Sequence, residues 1–474
     1  MSAPVRGALF LVASLLLAGC SPAPQPPGAP ASRTRQQLQG AVLFLLDTVR
    51  ADHVTCYGYA RPTTSALARI AEQGVVFEKV IASAPWTLPS VQTILSAQGL
   101  DRAATAEHKL SASVVESIRR AGYATGAATE GGFVSKAFGF DRGFDEYYEE
   151  EGAVQLVRPD KPRNPNPSGG IDRTFAKARE WLGKHRNEKF FLLVHTYEPH
   201  APHDRPTFTP GLPVPRFGPI FTIETGALLR AGRIPFGEAE LRYLEALYDG
   251  GVHEADRHVG AFLDFLGEVG LADRTLVAVT SDHGEELGDH YPAFSGNHGH
   301  SLHDELLLVP LVLHDPTNDY PVRRVRSQVR TIDILPTIAE ILGAPVEYPA
   351  DGASLVPVLL GKETEGRIAS GGGTKYGPEQ VFVRHGGYKL IRVTDPSPKR
   401  EPVLPPPPPV QLYDLVRDPR ERTNLAQPRP EIVRQMERLL EAARATGKVG
   451  DALPPPEEMD PELRERLRSL GYLK

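Results

Sequence analysis

Gly40-Ala-Val-Leu-Phe-Leu-Leu-Asp-Thr-Val-Arg-Ala-Asp-His53 opens with seven residues that carry no charge and no side-chain hydrogen-bonding group, then turns abruptly polar at Asp47. A strand with one wet face alternates apolar and polar residues, whereas a strand covered on both faces of a parallel sheet reads as an unbroken apolar run. Two further runs have the same form. Lys189-Phe-Phe-Leu-Leu-Val194 delivers His195-Thr-Tyr-Glu-Pro-His200-Ala-Pro-His203, and Thr275-Leu-Val-Ala-Val-Thr280 delivers Ser281-Asp-His-Gly-Glu-Glu286. Helical patterns separate them at Thr63 to Gly74, Ser111 to Ala121, Ile171 to His185 and Glu238 to Leu266, the last expected to break near Gly250-Gly251. Shorter strands are expected at Val75 to Val80, Gly122 to Ala128 and Leu306 to Leu313. Buried strands alternating with helices to about residue 345 predict an α/β fold with a mostly parallel sheet flanked by helices. In open α/β sheets ligands gather beyond the carboxyl ends of the strands, where Asp47, His195 and the Asp282-His283 pair all fall.

The bulk numbers exclude several classes. At 41% hydrophobic and 24% charged residues, the 474-residue chain has the composition of a protein with a proper core. A net charge of −6 argues against a nucleic-acid partner. The two cysteines, Cys20 and Cys56, supply neither a disulfide framework nor a thiolate metal cluster. Arg6 precedes an apolar run, Ala8 to Ala18, too short to span a bilayer but suited to a signal peptide. The run ends in Leu17-Ala-Gly-Cys20, which resembles the lipobox of bacterial lipoproteins and implies cleavage before Cys20 and its acylation. Ser21 to Arg35, rich in Pro, Ala and Gln, reads as a tether. The expected product is exported and held at a membrane of the bacterial cell envelope by an N-terminal lipid anchor.

In Ala82-Ser-Ala-Pro-Trp-Thr-Leu-Pro-Ser-Val-Gln-Thr-Ile-Leu95, Thr87 precedes a Leu-Pro-Ser turn that opens an apolar helix. The hydroxyl suits a helix cap, and it equally suits a group activated at the positive end of a helix. Asp47 carries the same pair of readings, since an Asp after a strand also caps helices. Pro159 to Gly170 reads as a surface loop. Beyond residue 370 the pattern changes to a hairpin at Val381 to Val393, a polyproline spacer at Pro402 to Pro409 and a strand at Gln411 to Leu415. Two helices, Pro430 to Thr446 and Pro461 to Leu470, complete a small α+β appendage.

Taken together, these pieces resemble a sulfatase of the alkaline-phosphatase superfamily. The resemblance runs from about residue 40 to the end of the chain. It rests on Leu46-Asp-Thr-Val-Arg-Ala-Asp-His53, Tyr57-Gly-Tyr59, Pro85-Trp-Thr-Leu-Pro-Ser90, Ser281-Asp-His-Gly-Glu285, Val309-Pro-Leu311 and the Leu412-Tyr-Asp-Leu to Asn424-Leu425 segment. With the lipobox and tether dividing the first residues into a lipoprotein signal at 1–19 and a tether at 20–38, it implies an alkaline-phosphatase-like catalytic domain at 39–370 and a C-terminal subdomain at 371–474. It also implies one divalent metal ion, Ca, Mg, Mn or Zn, held by Asp47, Asp282 and His283 with Thr87 completing the set. His200, His298 and His300 fall where relatives place substrate-binding or leaving-group-protonating groups; His195 joins them as a substrate-binding candidate, and Thr87, His200 and His300 are the catalytic candidates.

The departures from the family pattern define the chemistry. Sulfatases oxidise a Cys or Ser in a Cys/Ser-x-Pro-Ser/Ala-Arg motif to formylglycine. Here that residue is Thr87, the Arg position is Val91, and Cys56 lies in no such motif. Two-electron oxidation of a secondary alcohol gives a ketone, so Thr87 does not yield the aldehyde. An alternative register on Ser83-Ala-Pro85 puts Trp86 and Thr87 where Ser and Arg belong. The second Asp of the first motif is Thr48, and the region of the family's Lys-x-His pair reads Thr129-Glu-Gly-Gly132. The resulting expectation is a metal-dependent hydrolase of sulfate esters without formylglycine, with Thr87 as nucleophile. Two readings stand beside it: a phosphodiesterase or phosphoryl transferase working through phospho-threonine, and a degenerate envelope binding protein. The expected partner is a sulfated or phosphorylated small molecule or glycan.

Overall fold

The computed structural model describes residues 37–150, 170–318, 320–399 and 402–446, together with Met1. The expected lipobox at Cys20, nearly all of the tether, most of the 159–170 loop and the helix at Pro461 to Leu470 lie outside the described residues. In chain order the described strands are β1 (Gly40–Leu46), β2 (Val75–Phe77), β3 (Val80–Ile81), β4 (Ala124–Thr129), β5 (Glu146–Glu149), β6 (Phe190–Thr196), β7 (Thr275–Thr280) and β8 (Leu308–Val309). They continue with β9 (Leu311–His314), β10 (Arg324–Val325), β11 (Val329–Arg330), β12 (Ala369–Gly372), β13 (Gly377–His385), β14 (Tyr388–Lys399) and β15 (Val410–Asp414).

The main sheet has the order β10-β2-β9-β7-β1-β6-β4-β5. Its centre is parallel, and β9 enters antiparallel to β7 and β2. All seven residues of β1 are buried, as an apolar run without alternation requires. Ala41, Leu43 and Leu45 face a core with Val91, Ile94 and Ile338, from the helices Thr87–Ser96 and Ile334–Ile341. Val42, Phe44 and Leu46 face a second core with Leu67, Phe175 and Phe262, from the helices Ser65–Gln73, Gly170–His185 and Glu238–Glu268. The main sheet is therefore the middle layer of a three-layer α/β sandwich built on the predicted strand.

Three predicted elements form differently. Val75 to Val80 divides into β2 and β3, which join different sheets, with Glu78 and Lys79 at the crossing. Leu306 to Leu313 divides into the end of a short helix, β8 and β9, because Pro310 lacks the N–H that a continuous ladder would use. Helix Glu238–Glu268 runs unbroken through Gly250-Gly251. These glycines serve close approach instead: a Cβ on Gly250 would overlap the Arg205 carbonyl oxygen, and one on Gly251 would lie 2.9 Å from that of Glu198. The segment carrying His200 thus lies directly against the helix backbone.

The C-terminal hairpin is present as β13 and β14, with β12 and β15 flanking it in a four-stranded antiparallel sheet. One face of that sheet packs Val383, Leu390 and Leu412 against Ile432, Met436 and Leu439 of helix Pro430–Thr446. Phe382, Ile391 and Tyr413 instead join the core that holds Leu43.

Candidate active site

Register alone puts two carboxylates side by side. β1 pairs in parallel with β7 so that Leu45 faces Thr280, and Asp47 and Asp282 each follow two residues later. Thr48 adopts φ 60°, a left-handed conformation that costs a β-branched residue energy and is held by its surroundings. Its carbonyl accepts the Tyr248 hydroxyl at 2.8 Å, and its N–H points to Asp282 Oδ1 at 3.4 Å. Thr87 is the first residue of its helix, so that positive helix end faces the strand ends. Ser90, one turn further on, anchors the helix by donating to the Asp282 carbonyl at 2.6 Å.

These elements converge on the Thr87 hydroxyl. Oγ1 lies 3.2 Å from Asp47 Oδ2 and 3.3 Å from His283 Nε2. His283 Nδ1 donates to the Gly284 carbonyl at 2.8 Å, which leaves the Nε2 lone pair facing Asp47 and Asp282. Asp47, Asp282 and His283 are all fully buried. Asp47 Oδ1 and Asp282 Oδ2 have no hydrogen-bond partner among the described residues. Burial penalises the Asp47 carboxylate, but the imidazoles of His195, His283 and His200 more than offset this and hold it below the usual carboxylate range. Burial and the charge of Asp47 push Asp282 up to about 6. Two orphaned carboxylate oxygens and a lone-pair nitrogen, with ligand atoms within 4.8 Å of one another, fit a divalent cation.

The other predicted histidines take different places. His200 donates from Nδ1 to the Ala201 carbonyl at 2.7 Å and packs edge to face on His298 at 4.9 Å. The His298 ring is 4.4 Å from that of His283 and bonds Glu285 at 3.2 Å. Burial lowers the proton affinity of both His200 and His298. His195 is fully buried with Nε2 3.7 Å from Asp47 Oδ2. His300 is stacked on Phe294 at 4.4 Å and lies 3.4 Å from Glu286, bonded to neither Asp47, Thr87 nor His283. Ser83, the alternative register, is buried with its carbonyl bound to the Gly372 N–H and likewise makes no recorded contact with the cluster. Cys56 is half-buried, and burial pushes its thiol up to about 11, so it is not a thiolate nucleophile.

Sequence reasoning missed Lys375. Its ammonium lies 5.4 Å from the ring centroid of Trp86, the neighbour of Thr87, and 4.9 Å and 5.4 Å from those of Phe133 and Tyr376. It is close enough to His200 and His298 to help lower both. Its segment, between β12 and β13, is pinned by the Lys375 N–H to the Gly299 carbonyl at 2.7 Å. Nothing in Gly371-Gly-Gly-Thr-Lys-Tyr-Gly377 marks a site, because two of the three aromatic walls, Trp86 and Phe133, come from distant segments.

The sequence pattern that defines the Sulfatase family matches residues 39–344, which span every strand of the main sheet and all of the Asp47, Thr87 and Asp282-His283 cluster. The chain belongs to the sulfatase family. Among curated relatives, a multifunctional alkaline phosphatase superfamily protein of Trinickia caryophylli is 37% identical over 27% of this chain and 25% of its own length. Arylsulfatase K of Xenopus laevis is 28% identical over 44% of this chain and 38% of its own, and an N-acetylgalactosamine-6-O-sulfatase of Bacteroides thetaiotaomicron is 25% identical over 56% and 50%. These matches thus span a quarter to a half of the relatives' lengths. The sulfatase fold is confirmed by solved structures. One, in complex with its substrate D-glucosamine-2-N,6-O-disulfate, superimposes with a TM-score of 0.66 at 18% identity over 88% of this chain and 99% of that one. The phosphonate monoester hydrolase of Agrobacterium radiobacter superimposes with 0.64 at 19% identity, over 86% and 96%.

Proposed function

We propose that this sulfatase-family chain is a metal-dependent hydrolase of sulfate esters that works without formylglycine, with Thr87 as nucleophile. The observation that carries the reading is the meeting, at the Thr87 hydroxyl, of an Asp47 oxygen and the His283 Nε2, beside two carboxylate oxygens without partners among the described residues. Asp47, Asp282 and His283 would hold one divalent ion, with Thr87 completing the set. Bound there, the ion would lower the hydroxyl's pKa and neutralise charge on the transferring group. Asp47 Oδ2 takes the Thr87 proton, Oγ1 attacks sulfur, and the bond from sulfur to the departing alcohol breaks. His200 Nε2, freed by the Nδ1 bond to Ala201, supplies the proton to that alcohol, the bound anion having first raised its affinity for one. Water then gives a proton to the His200 Nε2 and attacks sulfur, the sulfur–Oγ1 bond breaks, and Asp47 returns its proton to Oγ1, releasing hydrogen sulfate and restoring the Thr87 hydroxyl. Lys375 supplies positive charge for the anion, and His298 orients beside His200.

The same residues support a second reading on phosphorus esters, favoured by Thr87 itself. A threonyl sulfate lacks the second hydroxyl through which a formylglycine hydrate expels sulfate, whereas a phospho-threonine is an ordinary covalent intermediate. The phosphonate monoester hydrolase among the fold neighbours fits that arm. The substrate class is accordingly a sulfated, or else a phosphorylated, small molecule or glycan. We further propose export and anchoring through acylated Cys20; a Cys20→Ser variant that still partitions into membranes and still carries labelled fatty acid would overturn this.

The deciding experiment is a panel of aryl sulfates, phosphate monoesters, phosphodiesters and phosphonate monoesters, assayed with Mg, Ca, Mn and Zn. Turnover is expected only with metal and is lost in Asp282→Ala. Metal binding without turnover of any of these would instead make the protein a binding module.

A further inference from the structure

The segment between β6 and helix Glu238–Glu268 exposes a concentration of apolar side chains. Apart from Met1, seven large hydrophobic residues are exposed among the described residues, and four of them fall between positions 214 and 228. They are Val214 at 63% exposure, Ile220 at 41%, Ile223 at 46% and Leu228 at 41%, whereas Leu360, Leu404 and Val416 are scattered. One exposed leucine needs no explanation, but a cluster on a single element marks a face that meets something apolar. Helix Ile223–Arg230 organises the cluster. Ile223, Ala227 and Ala231 recur every four residues with Leu228 beside them, all exposed, while Thr225, Gly226 and Leu229 form the buried side. The helix is firmly seated. Thr222 caps it by accepting the Thr225 N–H at 3.1 Å, and Phe221 exchanges both backbone hydrogen bonds with His203 at 2.8 and 2.9 Å. Its last residue, Arg230, lies over the rings of Phe294 and Tyr376 at 5.8 and 5.9 Å.

Charge also sets this segment apart. The chain carries −6, yet residues 206–237 hold Arg216, Arg230 and Arg233 against Glu224, a net +2. Arg216 and Arg233 are exposed. We propose that the outer face of residues 214–233 docks on a bilayer rich in anionic phospholipid, with Ile220, Ile223 and Leu228 among the acyl chains and Arg216 and Arg233 at the headgroups. Helices that lie in a membrane interface pair apolar and cationic side chains in this way. Eight residues are too few to span a bilayer, so the helix lies on it. An anionic surface attracts this segment and repels the acidic remainder, which selects the side that faces the membrane. A sulfated polysaccharide would meet the arginines but leave the apolar side chains without a partner. Because the helix backs onto Phe294 and Tyr376, neighbours of His300 and Lys375, docking holds the Thr87 site at the membrane surface.

The test is cosedimentation of the full chain, as Cys20→Ser so that no acyl chain contributes, with vesicles of phosphatidylglycerol and phosphatidylcholine or of phosphatidylcholine alone. Binding to the anionic vesicles is expected to be at least about tenfold tighter and to weaken with added salt. Adding Ile220→Ser, Ile223→Ser and Leu228→Ser together is expected to lower it about tenfold or more. Arg216→Gln with Arg233→Gln is expected to abolish the preference for phosphatidylglycerol. Leu404→Ser with Val416→Ser, which removes exposed apolar side chains elsewhere, is expected to change nothing. Undiminished binding by the triple serine variant, an equal loss in the Leu404 and Val416 control, or no preference for phosphatidylglycerol would overturn the proposal. So would a dimer in analytical ultracentrifugation that the triple variant dissociates, since a second copy would then cover this face. Turnover is read in no arm, so these outcomes are independent of the catalytic reading.

Discussion

At the residue scale, the site was legible wherever a chemical group sits at a strand or helix terminus. Asp47, Thr87, Asp282 and His283 could be read because a buried strand or a helix start fixes where its next residue goes. Lys375 could not, because Trp86 and Phe133, which wall it together with the adjacent Tyr376, are brought in from distant segments. Under the proposed mechanism, Lys375→Ala is expected to lower kcat/KM about a hundredfold by removing one electrostatic stabiliser. Steady-state kinetics on the substrate identified by the panel check this. The histidine cluster after β6 also divides by role. His203 is buried against Phe221 and Tyr248, and burial pushes its imidazole down to about 3. The unfolded chain, with an ordinary histidine near 6.5, therefore binds one more proton than the native state between those values. The stability this residue allows is present above about pH 6.5 and lost as pH falls toward 3, on the order of 3 kcal/mol by pH 4. Urea titrations between about pH 7 and pH 4 are expected to show a shallower fall in His203→Gln, by close to one proton. An unchanged slope would show that another group carries the acid sensitivity.

At the element scale, apolar periodicity located β1, β4, β6 and β7 and the helices at Ser65–Gln73, Gly170–His185 and Glu238–Glu268. It missed the edge strands β5 and β10 and the helix Ile334–Ile341, and local composition misjudged the interruptions. Glycine inside a helical pattern reads as a break only if nothing needs the space. At Gly250 and Gly251 the space is taken by the backbone of the segment that carries His200. In an exposed helix Gly→Ala gains roughly 1 kcal/mol. Here Gly250→Ala is expected to destabilise by about 1–3 kcal/mol, because the added carbon meets a carbonyl oxygen and forces backbone apart. Thermal unfolding checks the sign, and a parallel fall in kcat is expected because displacing residues 198–205 moves His200. Splitting of the predicted strands at Glu78-Lys79 and at Pro310 has a similar origin, since each half pairs in a different sheet. Pairing partners lie far away in the chain, and no short window of sequence contains them.

At the scale of the whole molecule, the α/β class with a mostly parallel sheet was readable from composition and pattern. The coupling of the C-terminal sheet to the rest was not, because it depends on buried charges that lie outside any short window of sequence, such as Lys389 and Asp304. Lys389 on β14 is fully buried, 2.9 Å from Asp304 and 3.0 Å from Glu421, and Arg384 reaches Asp304 at 3.1 Å. Lys389→Ala leaves those carboxylates short of a partner and is expected to cost about 3–5 kcal/mol in chemical denaturation. The fold's main accomplishment is to gather Asp47, Thr87, Asp282 and His283 from three distant segments around one hydroxyl, and that is the claim most open to direct test. The measurement is kcat/KM for wild type, Thr87→Ser and Thr87→Ala on the sulfate and phosphorus ester panel, with bound metal quantified in each. Thr87→Ala is expected to lose at least about a thousandfold while Thr87→Ser keeps part of the activity. Wild-type rates in Thr87→Ala would contradict the account.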